Sequence, residues 1–89
     1  MIEKKLVLCN KLGLHARAAM KLTDLAMAFG SNLQICYNQR CVDAKSIMEV
    51  MVLGASYEQE VILKADGDDE QRAMEAMIEL INNRFGESE

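Results

Sequence analysis

Leu33-Gln34-Ile35-Cys36-Tyr37-Asn38-Gln39-Arg40-Cys41-Val42-Asp43 reads as two strands around a tight turn. Leu33, Ile35 and Tyr37 alternate with Gln34 and Cys36, the period of a half-buried strand. Asn38-Gln39 supplies a two-residue turn, a weaker signal than Asn-Gly because it lacks glycine. Cys41 to Asp43 returns as a short strand, so Cys36 and Cys41 can face each other across the hairpin. Ser46 to Leu53 then forms a short helix. Ser46 and Glu49 fit the S-x-x-E pattern that marks a helix start, and Gly54 stops the helix.

Working outward, Ala16 to Phe29 carries Ala18, Leu22, Leu25, Ala26 and Phe29 at helical spacing, with Gly30 as the expected terminator. Ile2 to Cys9 alternates as a strand. Glu58 to Ala65 does the same, with Val61, Leu63 and Ala65 on one face. Asp66-Gly67-Asp68 is a turn, and Asp68 or Asp69 is positioned to cap a last helix that runs to Asn83. Its apolar stripe is Ala73, Met74, Met77, Leu80 and Ile81. Gly86-Glu87-Ser88-Glu89 is expected to fray. The order β-α-β-β-α-β-α predicts an α+β sandwich: a four-stranded antiparallel sheet with three helices on one face. With no proline, no low-complexity stretch and no repeat, residues 1–89 are expected to form one domain.

A chain of 89 residues buries roughly 60–65% of its unfolded surface, enough for one core and too little for a deep enclosed active site. The net charge of −4, without a Lys/Arg cluster, argues against nucleic acid as a partner. No apolar run approaches the ~20 residues that cross a bilayer, and the start lacks a leader pattern. A cytoplasmic protein without a membrane partner is expected. Cys9, Cys36 and Cys41 are odd in number and irregular in spacing, so they are expected to stay reduced. A zinc or redox site built from these three thiols, with His15 as a fourth zinc ligand, is a rival reading that no C-x-x-C spacing supports. Neither metal nor cofactor is expected.

The chemistry centres on His15, the only histidine. Gly13-Leu14-His15-Ala16-Arg17-Ala18-Ala19-Met20 places it where a glycine loop becomes a helix. Free backbone N–H groups and the positive end of the helix dipole make that position ready for an anion. Arg17 adds a fixed cation with fork geometry suited to phosphate. A neutral imidazole has a lone pair for attack and could hold a phosphoryl group as a reactive phosphoramidate. No G-x-S-x-G elbow or P-loop is present. A small chain with one poised nucleophile reads as a stoichiometric carrier and not an enzyme. Glu70, Glu75, Glu79, Glu87 and Glu89 read as a solvated helix face and tail.

Around Ser46, the residues Ile47, Met48, Val50, Met51 and Leu53 are more than one face of a two-turn helix can bury. Either the helix is capped with all of these facing the core, or some are exposed and, extended by Met20 and Met27, form a docking patch, since methionines repack against varied partners. Ser46 reads first as a capping hydroxyl and second as a regulatory phosphorylation site. Lys45 could offset part of the added charge. A docking module switched at Ser46 is the second rival function.

Lys11-Leu12-Gly13-Leu14-His15-Ala16-Arg17, then Lys45-Ser46-Ile47-Met48 thirty residues after that loop, and the final Asn83-Arg84-Phe85-Gly86, together resemble the HPr family. These are the histidine-containing phosphocarriers of bacterial phosphotransferase systems. The resemblance covers nearly the whole chain and implies an open-faced β-sandwich. It implies that His15 takes a phosphoryl group on Nδ1 from enzyme I, itself charged by phosphoenolpyruvate. The group then passes to a histidine of an A-type acceptor domain, with Arg17 stabilising it. It further implies docking by Ile47, Met48 and Met51, and phosphorylation of Ser46 by a dedicated kinase in some bacteria. Nothing demands more than a monomer. Many members have proline where this chain has Ala18; alanine is a strong helix former, so an intact first turn is expected. Ala18-Ala19-Met20-Lys21-Leu22 resembles the nitrogen-related branch, whereas Lys45-Ser46-Ile47-Met48 is closer to the sugar branch. The balance leans towards a regulatory system.

Overall fold

The computed structural model describes residues 1–88; Glu89 lies outside the described residues. The elements are β1 (Ile2–Val7), α1 (Ala16–Met27), β2 (Asn32–Tyr37), β3 (Arg40–Asp43), α2 (Ile47–Leu53), β4 (Glu60–Asp66) and α3 (Glu70–Asn82), then a 3-10 turn at Arg84–Gly86. The sheet order is β1-β4-β2-β3, with every pairing antiparallel. Alternation sends Leu33, Ile35, Val42, Val61 and Leu63 into the core beneath the helices. α3 packs on β4 and β1, α2 on β3 and β2, and α1 against both other helices. This is the expected open-faced arrangement. Leu22, Val50, Met74, Met77 and Ile81 complete the core, each side chain contributing about 1.5–3 kcal/mol by leaving water.

Asn38 and Gln39 both adopt left-handed φ, +53° and +68°. That is a type I′ turn, whose twist matches the strands it joins. Its register sets Tyr37 against Arg40 and Cys36 against Cys41. Cys36 and Cys41 are joined by a disulfide, their Cα atoms 4.0 Å apart. This corrects the expectation of three reduced thiols. The hairpin sets the two thiols face to face, as its sequence indicated, but their odd number and irregular spacing spoke against a bond. Cys9 is the free cysteine, its thiol donating to the Ile81 carbonyl at 3.2 Å. Among the described residues, no three His, Cys, Asp or Glu side chains gather as a metal site requires.

Three further expectations change. Gly30 does not cap α1, which ends in a right-handed turn at Ala28. Instead the Gly30 N–H donates to Asp69 Oδ2 at 2.9 Å, and the Ser31 N–H to Oδ1 at 3.0 Å. Asp69 holds the N-cap position of α3, yet its carboxylate serves that neighbouring loop and not its own helix. The Ser31 hydroxyl donates to it as well. Those donors, the Ser31 hydroxyl first, pull the Asp69 carboxyl down to about 2. The stretch after α3 does not fray as far as Glu87, whose N–H donates to the Arg84 carbonyl at 2.9 Å. Arg84 and Phe85 take left-handed φ of +55° and +54°, and the Phe85 ring is fully buried. Ring burial offsets the cost of that backbone. Lys21 Nζ donates to the Phe85 carbonyl at 2.6 Å, fastening the turn to α1.

Candidate functional site

The loop between β1 and α1 is fixed before it reaches the imidazole. Leu8 is buried and exchanges backbone hydrogen bonds with Glu58 and Gln59, at 2.9 and 3.0 Å. Asn10, also fully buried, donates from Nδ2 to the Gly13 carbonyl at 2.8 Å, while its own carbonyl accepts from the Gly13 N–H at 3.1 Å. Gly13 has φ +61°, and a Cβ there would lie 2.7 Å from the Ala55 carbonyl oxygen and from Ser56 Cα. Only glycine fits. Leu14 then donates to the Ala55 carbonyl at 3.0 Å and buries its side chain.

His15 follows as the N-cap residue of α1, with extended backbone. Its carbonyl accepts the Ala19 N–H at 2.8 Å, so the amides of Ala16, Arg17 and Ala18 precede the first bonded turn. No acidic residue in that turn cancels the positive end of the dipole. Ala18 is buried in an intact first turn, as expected from alanine in place of proline.

Nε2 of His15 meets Oε2 of Glu87. A carboxylate there accepts the Nε2 proton, which leaves Nδ1 with the lone pair of the neutral ring. Asn10 Nδ2 donates to the other Glu87 oxygen at 3.1 Å, so Glu87 is held from two sides. Burial pushes the Glu87 carboxyl up. The hydrogen bonds from His15 and Asn10, with the positive charge of Lys21, outweigh burial and leave it below the usual carboxylate range. Glu87 was read from sequence as solvated tail; this is a correction. Its signal was indirect: Phe85 is a large apolar residue beside a glycine, in a stretch otherwise polar.

An open cleft of about 710 Å³ is lined by Lys11, Leu12, His15, Ala16, Arg17 and Glu87. Arg17 is exposed and makes no hydrogen bond or ion pair with another described residue. The Arg17 cation, the His15 imidazole and the first residues of α1 thus border one solvent-facing space.

Met20, Met48 and Met51 are exposed on α1 and α2, which pack together. Ile47 is the exception, half-buried and packed on the core. Leu12 and Val52 are also exposed and enlarge the apolar surface; the loop position of one and the two-turn helix of the other gave no facing from sequence. Ser46 caps α2, its Oγ accepting from the Glu49 N–H at 3.4 Å. The reciprocal half of the capping box is replaced, since the Ser46 N–H donates to the Asp43 carbonyl at 3.0 Å. Lys45 is turned away from Ser46, donating from Nζ to the Phe29 carbonyl at 2.7 Å. It is not placed to offset a charge on Ser46 as expected.

Comparison with known proteins adds to this geometry. The family model described as the PTS HPr component phosphorylation site matches residues 2–83. The phosphocarrier protein HPr of Cupriavidus necator is 54% identical over 89 residues, covering both chains completely. That of Xylella fastidiosa is 48% identical over 87 residues, 98% of each chain. The crystal structure of HPr-C-His from Thermoanaerobacter tengcongensis superposes with a TM-score of 0.96 at 42% identity, over all of both chains. The chain belongs to the HPr family, the phosphocarriers of the phosphotransferase system.

Proposed function

We propose that the chain takes a phosphoryl group on Nδ1 of His15 from phosphorylated enzyme I and gives it to a histidine of an A-type acceptor domain. In each step the lone pair of the receiving imidazole forms a new N–P bond as the donor's N–P bond breaks. The donor ring keeps that electron pair. The observation that carries this reading is the Glu87 carboxylate on Nε2, which makes Nδ1 the nucleophile. The amides at the start of α1 and the Arg17 guanidinium supply charge where the phosphoryl oxygens come to rest. An open site on so small a chain suits a stoichiometric intermediate, since both partners must reach the same nitrogen.

Met20, Met48 and Met51, with Leu12 and Val52, form the docking surface for both partners in this reading, Ile47 supporting it from below. Residues 1–89 act as one monomeric domain in the cytoplasm. No helix of the described residues is long and apolar enough to cross a membrane. Ser46 is a regulatory target for a serine kinase in the same reading. A phosphate on its Oγ would replace the capping contact to Glu49 with a stronger one and bring negative charge beside the docking residues.

Phosphorus and nitrogen NMR of the phosphorylated protein tests the atom assignment. Phosphorylation on Nδ1 of His15 is expected; attachment at Nε2 would overturn the role given to Glu87.

A further inference from the structure

Cys36 and Cys41 lie on the face of the sheet that the helices leave open, because Ile35 and Val42 beside them point into the core. The two sulfurs are unequally covered. Cys36 is 5% exposed, whereas Cys41 stands exposed on the edge strand. A shallow depression of about 380 Å³ surrounds them, with Tyr37, Glu60, Ile62 and Lys64 in its wall. Phosphoryl transfer at His15 uses none of these groups.

We propose that the Cys36–Cys41 disulfide is a reversible redox site, reduced by a dithiol that attacks Cys41, and that its reduction loosens the edge strand leading into α2. A thiolate of the dithiol attacks Cys41 Sγ, the accessible sulfur. A new S–S bond forms to Cys41, the Cys36–Cys41 bond breaks, and Cys36 leaves as a thiolate. The second thiolate of the dithiol then attacks its own sulfur in the mixed disulfide. The dithiol becomes a disulfide, and Cys41 is released as a thiolate. The two protons given up by the dithiol end on the two protein sulfurs, and two electrons pass to the protein. The same steps run backwards with an oxidised dithiol. Lys64 and Glu60 both line the depression, and Lys64 Nζ lies 3.4 Å from Glu3 Oε1 on β1.

The mechanical consequence follows from topology. β3 has four residues and pairs with β2 alone. Only Ala44 and Lys45 separate its end from Ser46, the cap of α2, and α2 packs on β3. Cutting the cross-link therefore raises local opening in β3 and is felt in α2, which presents Met48, Met51 and Val52.

The test uses the full chain in glutathione redox buffers and in dithiothreitol, quenched by N-ethylmaleimide under unfolding conditions and read by intact mass. One adduct, on Cys9, is expected for the oxidised protein and three for the reduced one. Oxidised glutathione is expected to modify Cys41 in C36S about tenfold or more faster than Cys36 in C41S, following exposure. On reduction of the wild-type chain, amide exchange in β3 and α2 is expected to rise roughly tenfold while α3 stays unchanged. Three adducts in oxidising buffer, a disulfide that dithiothreitol opens only in unfolded protein, equal reactivity of the two cysteines, or unaltered exchange in β3 and α2 would each overturn the proposal.

Discussion

At the residue scale, the central pairing is His15 with Glu87. The carboxylate fixes which ring nitrogen is free, and Asn10 fixes the carboxylate. Glu87→Ala removes a charge-assisted hydrogen bond of about 1.5 kcal/mol, so phosphoryl acceptance is expected to slow about tenfold. Stopped-flow transfer from enzyme I measures it, and nitrogen NMR of the ring should show Nε2–H losing its dominance. Arg17→Ala is expected to lower the same rate by a similar factor without altering thermal stability, because the Arg17 side chain makes no hydrogen bond or ion pair with another described residue. The pH sign for Glu87 follows its lowered folded pKa. The His15 and Asn10 contacts contribute stability in full above the usual glutamate range, and that contribution disappears as pH falls and the carboxyl protonates.

At the element scale, short elements stand because their ends are pinned. α2 has seven residues, an N-cap hydroxyl at Ser46 and a left-handed Gly54 at its other end. Ser46→Ala is expected to cost about 1 kcal/mol in urea unfolding. The turn after α3 depends on the Phe85 ring in the core. Phe85→Ala should cost about 3–5 kcal/mol and also free Glu87 from His15, so stability and phosphoryl acceptance fall together. Strand and helix positions were legible because each carried its own period, as Val61, Leu63 and Ala65 do in β4. The loop of His15 was legible because Gly13 and the helix start are adjacent in sequence. The Asp69 contacts and Glu87 were not. Each joins groups brought together by topology: Asp69 reaches Gly30 across 39 positions, and Glu87 reaches His15 across 72. Periodicity along one segment holds no record of such meetings.

At the scale of the whole molecule, the turn after α3 packs against α1, and Glu87 just beyond that turn meets His15 at the start of α1. Asp69 ties the loop after α1 to the start of α3, and its carboxyl is lowered from 3.8 to about 2. A depressed folded pKa means its contribution is complete above pH 3.8 and is lost as pH falls through about 2. Asp69→Asn is therefore expected to lower thermal stability at neutral pH and to flatten the acid limb of the stability curve, read by circular dichroism. The open face of the sheet contributes no residue to this cleft, and in the proposed reading both donor and acceptor approach from the helical side. In that reading His15 is the one atom-to-atom link between them. Intact mass of the protein after incubation with enzyme I, magnesium and phosphoenolpyruvate tests it most directly. One acid-labile phosphoryl group mapped to His15, and none in His15→Ala, is the expected result. An unmodified wild-type chain, or equal modification of the His15→Ala variant, would contradict it.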